Sequence, residues 1–130
     1  MRSAIVWVLI LLAGAAAALG QMHQPQQITL GYGKTAKVGD TAVTFARVVS
    51  DSRCPVNVNC IWEGNAQIEV AVECAGRTET VELNTTGPKQ SAEAEGYSIK
   101  LIELKPVPRA SEKTKPAEYK ATLELKRLER

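Results

Sequence analysis

The segment Ala66 to Cys74 constrains this chain more than any other. Ile68, Val70, Val72 and Cys74 alternate with Gln67, Glu69, Ala71 and Glu73, the period of two that a half-buried strand requires and a helix cannot use. Ala75-Gly76 follows as a two-residue hairpin turn, and Arg77 to Leu83 returns with Val81 and Leu83 facing inward. The same pattern recurs along the chain. Ile28-Thr29-Leu30 begins a first short strand, which Gly31-Tyr32-Gly33 interrupts. Val38-Gly39-Asp40-Thr41 predicts a turn leading into Ala42 to Val49. There Val43, Phe45 and Val49 alternate, Arg47 falls on their face and Val48 does not, so a bulge near Ala46-Arg47 is expected to return Val48 to the core.

Asn84 to Gly96 is polar and reads as a loop. Tyr97 to Leu104 is a strand whose apolar residues, Ile99, Leu101, Ile102 and Leu104, change phase once. Lys105 to Glu118 contains Pro106, Pro108 and Pro116. Prolines at that density withhold ladder hydrogen bonds, so a long extended loop is expected. Tyr119, Ala121, Leu123 and Leu125 then alternate with Lys120, Thr122 and Glu124. The Leu, Glu, Lys and Arg content makes a short helix over residues 118–130 the competing reading, but seven alternating residues favour a strand. The expected fold is all-β: an antiparallel sandwich or partly open barrel of about six or seven short strands.

Residues 1–20, MRSAIVWVLILLAGAAAALG, run from a basic start at Arg2 through an apolar stretch to small residues. That order predicts a secretory signal peptide cut after Gly20. Retention as an anchor is the alternative, although the apolar run from Ala4 to Leu19 falls short of the roughly 20 residues a spanning helix needs. Cleavage leaves residues 21–130 as one domain with no membrane span. It holds 15 basic and 14 acidic side chains, a net charge of +1, once Arg2 is removed from the totals of 16 and 14. A chain of that size buries roughly 65% of its unfolded surface, enough for one core. Balanced charge and few aromatics exclude a nucleic-acid partner, which would show a basic stripe or a stacking platform. No cofactor-binding pattern is present.

Asp51-Ser52-Arg53-Cys54-Pro55-Val56-Asn57-Val58-Asn59-Cys60-Ile61-Trp62-Glu63-Gly64-Asn65-Ala66 is the distinctive segment. Two cysteines six positions apart in an exported chain should form a local disulfide. Cys60 and Trp62 share a face if the backbone is extended, which would pack the indole on the disulfide and into the core. Gly64-Asn65 supplies a turn. Asp51 and Arg53 could pair, or Asp51 could accept backbone N–H groups. Cys74 is expected as a buried free thiol, with pairing to Cys54 or Cys60 as the alternative. The segment resembles the motif D-S-R-C-P-x4-C-x-W-x-G-x-A of a family of small exported bacterial β-proteins of unknown function. The resemblance is continuous from Asp51 to Ala66 and weaker over most of residues 21–130. It implies fold and export and adds no activity, and Cys74 departs from the two-cysteine pattern.

A structural clip is the leading role for this loop, and a rigid binding loop that carries Asp51, Arg53, Trp62 and Gly64 is the next. The expected role is that of a non-enzymatic binding or structural protein in the periplasm or outside the cell; its partner is left open, with an extracytoplasmic protein as the candidate. Three sharper functions compete with these. If the chain begins Gln21-Met22-His23, the amine, two amide nitrogens and the His23 imidazole could hold Cu(II) or Ni(II) in a square plane. Asn84-Thr85-Thr86-Gly87 resembles part of a loop of chagasin-like cysteine-protease inhibitors, without the proline usual after the asparagine, which makes a loop-mediated inhibitor the runner-up. The same Asn84-Thr85-Thr86 is a formal glycosylation acceptor. Enzyme activity is not expected: His23 is the only histidine, and no pair among Asp51, Glu63 and Glu69 has catalytic spacing.

Overall fold

Left-handed backbone at both Ala75 (φ 52°) and Gly76 (φ 78°) makes the tight turn that the right-handed twist of paired strands favours. Around it the computed structural model, which describes residues 24–128, is built almost wholly of antiparallel strands. β1 is Gln26–Gly31, β2 Thr35–Val38, β3 Thr41–Asp51 and β4 Ala66–Cys74. β5 is Arg77–Asn84, β6 Ser91–Ala94, β7 Tyr97–Lys105 and β8 Lys120–Arg127. The leader, the cleavage point and the Gln21-Met22-His23 site lie outside the described residues.

Two four-stranded sheets face each other, one in the order β1-β8-β7-β6 and the other β2-β3-β4-β5. Every pairing is antiparallel. The chain is thus an all-β sandwich that does not close into a barrel, because β1 and β2, and likewise β5 and β6, belong to different sheets. Alternation buries one face of each sheet. Phe45, Ile68, Leu83, Ile99, Leu123 and Leu125 are the largest fully buried side chains, and Tyr32 meets Phe45 edge to face at 5.6 Å. The terminal segment is a strand with Tyr119, Ala121, Leu123 and Leu125 buried, as its alternation predicts.

Both expected phase changes are bulges. The β3–β4 register skips between Phe45 and Arg47, which turns Arg47 outward and packs Val48 against the core. Arg47 then sits opposite Glu69 and donates two hydrogen bonds to its carboxylate, at 2.7 and 2.8 Å. A second skip, between Val48 and Ser50, was not anticipated and leaves Val49 exposed. In β7 the skip falls between Leu101 and Glu103, so Ile102 is extruded while Leu101 and Leu104 stay buried.

The expected six or seven strands are eight, because Thr35–Val38 and Ser91–Ala94 also pair. β6 lies inside the stretch read as loop and buries only Ala94, so it carries almost no hydrophobic signal. It exists because the turn at Glu95 (φ 47°) and Gly96 (φ 82°) folds it onto β7. Cys74 is free, as expected, but only half-buried at the end of β4.

Candidate functional site

Two long connections, one from each sheet, meet at one end of the sandwich. Residues 52–65 join β3 to β4, and residues 106–119 join β7 to β8. The first is closed by the Cys54–Cys60 disulfide, with Cα atoms 5.9 Å apart. Hydrogen bonds then knit the two together: the Val56 N–H donates to Pro108 O at 2.9 Å, and the Ala110 N–H donates to the side-chain Oδ1 of Asn57 at 2.8 Å. The proline-rich segment is an extended loop until Pro116–Glu118, where one 3-10 turn delivers the chain to β8.

Asp51 and Arg53 do pair, and their pairing is the fastener of this end. Arg53 Nε and Nη2 donate to the two Asp51 oxygens, both at 2.8 Å. Its Nη1 donates to Leu104 O at 2.6 Å, and Nη2 donates also to Pro106 O at 2.8 Å. Four of the five guanidinium N–H groups are therefore spent inside the protein. Tyr119 completes the node by donating its phenol O–H to Asp51 Oδ2 at 2.9 Å. Both charged side chains are 11% exposed. Arg53 is thus a tie between β3 and the far sheet, with little surface left for capturing a partner.

Burial alone would raise the Asp51 carboxyl, but the hydrogen bonds from Arg53 and Tyr119 and the Arg53 charge together hold it below its ordinary value. The Tyr119 phenol is pushed up, first by burial and then by its bond to the Asp51 carboxylate. A depressed acid stabilises the fold above its unfolded pKa and loses that contribution as pH falls through the folded value. A raised phenol does the reverse on the alkaline side. Thermal stability is expected to hold between about pH 5 and 9 and to decline below about 4 and above about 10. Melting curves across pH check this: the gap between wild type and Asp51→Asn should begin to narrow below about pH 4, where the unfolded carboxyl protonates, and close only once pH has fallen through the depressed folded value.

Gly64 and Asn65 anchor the other side of the loop. Gly64 adopts φ +73°, and a Cβ there would overlap the Ser52 carbonyl and lie 2.9 Å from Arg53 Cα. Asn65 accepts from the Ser52 N–H at 2.8 Å through its backbone oxygen, and its amide donates to Asn84 Oδ1 at 2.8 Å. Its Oδ1 accepts the Thr86 N–H at 3.1 Å, while Thr86 Oγ1 donates to Gly64 O at 2.8 Å. The Asn84-Thr85-Thr86 segment is therefore committed inward to this loop. Sequence reading missed Tyr119, Asn65, Thr85 and Thr86 as members of this network. Only Tyr119 carried a signal, as a phenol on an apolar face that needs a partner.

Trp62 corrects the expectation of a core residue stacked on the disulfide: it is 81% exposed, and its neighbour Ile61 is 94% exposed. The interior is already filled from the strands. The Cys54 N–H bonds to Glu63 O at 3.1 Å, and the left-handed turn at Gly64 follows. The chain between these points has no core face to occupy. Val56, Val58 and Val107 are also exposed. The result is an apolar tip mounted on a cross-braced base. A double Cys54→Ser/Cys60→Ser variant is expected to lose about 2.4 kcal/mol from reopening the seven-residue loop, read from urea denaturation. No loss would mean that the Arg53 node alone holds the loop.

The described residues hold no group of three or more metal-ligating side chains and no helix long and apolar enough to cross a membrane. The class defined so far is an eight-stranded antiparallel sandwich with an apolar, disulfide-closed tip. No protein-family model, curated protein or solved structure matches the chain.

Proposed function

We propose that this chain is an exported, non-enzymatic binding module that presents the Ile61-Trp62 tip to an extracytoplasmic protein. The observation that carries this reading is the exposure of two large apolar side chains on a loop held by a disulfide and by the Asp51–Arg53–Tyr119 node. Leaving such residues in water is unfavourable, and clustered exposed apolar groups mark interaction surfaces. A braced loop also loses little conformational entropy when a partner closes over it. The disulfide is compatible with an oxidising environment, which accords with export. The inhibitor alternative gains nothing from Asn84-Thr85-Thr86, whose polar groups bond within the protein.

Trp62→Ala tests the reading. A tryptophan anchor truncated at an interface costs about 2 kcal/mol or more, roughly thirtyfold in Kd. An exposed residue outside the core changes fold stability by no more than about 0.5 kcal/mol. Wild-type and Trp62→Ala protein, immobilised and exposed to the extracellular or periplasmic fraction of the producing cell, should differ in one or a few specifically retained proteins at equal melting temperature. Identical retention would overturn the reading. Concentration-dependent self-association lost in Trp62→Ala would also overturn it, by making a second copy of the chain the partner.

A further inference from the structure

Beside the tip, the 106–115 segment and the start of β8 enclose a cleft of about 660 Å3. Its walls carry Lys105, Arg109, Lys113 and Lys120 against Glu112 and Glu118, a balance of four positive to two negative charges. Lys105 is paired with Glu103 at 3.6 Å, so the excess of positive charge rests on the other three cations. Glu112 lies 4.0 Å from Arg109 at the edge of ion-pair range, and Glu118 Oε2 is turned to accept the Lys115 N–H at 3.0 Å. Lys113 and Lys120 form no ion pair with any described residue. Pro106 and Val107 give the cleft an apolar wall, and Val107 is at the same time 46% exposed. Through Pro108, the same loop is bonded to Val56 of the disulfide loop. Cationic cleft and apolar tip therefore share one braced platform.

We propose that the cleft receives an acidic, extended segment of the partner protein, whose apolar side chains rest on the adjoining tip. This rests on the binding role proposed for Ile61-Trp62. Charge complementarity selects the occupant. The cations are solvent-exposed, 67% for Lys105 and 58% for Arg109, so each attracts a lone anion weakly. Several together favour a ligand with several negative charges spaced along a chain. The cleft is also open to solvent rather than enclosed, which suits a polypeptide laid across it better than a small molecule held within it.

The test uses the purified, disulfide-intact chain and three labelled, tryptophan-free peptides: alternating Glu-Leu, alternating Gln-Leu, and oligo-glutamate. Anisotropy should show the Glu-Leu peptide binding at least about tenfold tighter than Gln-Leu at low salt, with the advantage shrinking as salt is added. Lys113→Glu/Lys120→Glu should remove that advantage at unchanged melting temperature, and Trp62→Ala should weaken Glu-Leu but not oligo-glutamate. Equal binding of Glu-Leu and Gln-Leu, both lost in Trp62→Ala, would overturn the acidic segment while leaving the tip as a binding surface. Binding of Glu-Leu that ignores Trp62→Ala would overturn the shared platform. Displacement of Glu-Leu by equimolar citrate would overturn the polypeptide in favour of a small polyanion.

Discussion

Arg53→Ala is expected to lower stability by about 3–5 kcal/mol, the usual result of removing one partner from a buried ion pair. Three losses coincide. The Asp51 carboxylate keeps only Tyr119 as a side-chain partner, and the carbonyls of Leu104 and Pro106 lose their guanidinium donors. Removing the guanidinium also leaves its space unfilled where the two long loops meet. Urea denaturation measures the effect, and the double variant Asp51→Asn/Arg53→Met apportions it. If most of the cost is the stranded charge, the double variant should recover a large part of the loss. A single-variant loss below about 1 kcal/mol, the scale of an exposed pair, would show that the loops dock without the node. Arg53 was legible in the sequence as a residue of interest. Its structural role, the leading expectation, includes a part that spacing cannot reveal: two of its donors go to carbonyls some fifty positions away, at Leu104 and Pro106.

Gly64→Ala is the second large effect, expected at about 3 kcal/mol or more. A left-handed φ costs a non-glycine residue roughly 1–2 kcal/mol. The added Cβ meets the Ser52 carbonyl, and backbone on both sides is pinned, by Ser52 N to Asn65 O and by Cys54 N to Glu63 O. Gly76→Ala is the internal control. Gly76 has φ +78° but nothing within 4 Å of its would-be Cβ, so only the conformational part applies. The difference between the two variants in urea denaturation isolates the steric part. Equal losses would mean that the loop yields at no cost and that the tip is less firmly mounted than its hydrogen bonds indicate.

Most of the sandwich was legible because its strands carry their burial in period-two patterns. Ile68, Val70 and Val72 in β4, Val81 and Leu83 in β5, and Ala121, Leu123 and Leu125 in β8 all face the core as expected. The phase breaks at Arg47 and Ile102 were readable too, since a bulge is the cheapest way to keep a strand amphipathic. The missing pieces lacked that signature. β6 buries one alanine, and β2 follows a glycine-interrupted turn whose crossing between sheets only tertiary packing decides. At the site, spacing was enough for the Cys54–Cys60 bond and for suspecting an Asp51–Arg53 pair. Trp62 misled because size and hydrophobicity argue for burial, whereas its position between a clipped loop and a left-handed glycine decides exposure. The cleft was illegible because its cations come from the last residue of β7, a proline-rich loop and the first residue of β8, which look like an ordinary solvated surface in the sequence.

The order β1-β8-β7-β6 gives the last strand an interior place, hydrogen-bonded on both sides, with Gln26 opposite Leu125. That arrangement sets when this protein can fold. During synthesis or threading from the N-terminal side, the second sheet can assemble once β5 has emerged, but the first sheet has a gap at its middle until residue 127 arrives. Nascent chains would thus carry β1 and β7 as two unpaired edges and half a core open to solvent, a form prone to aggregation. Loss of only the final strand would cost far more than its eight residues, because both neighbours lose their ladder at once. The first sheet is therefore complete only when its C-terminal strand is in place between β1 and β7.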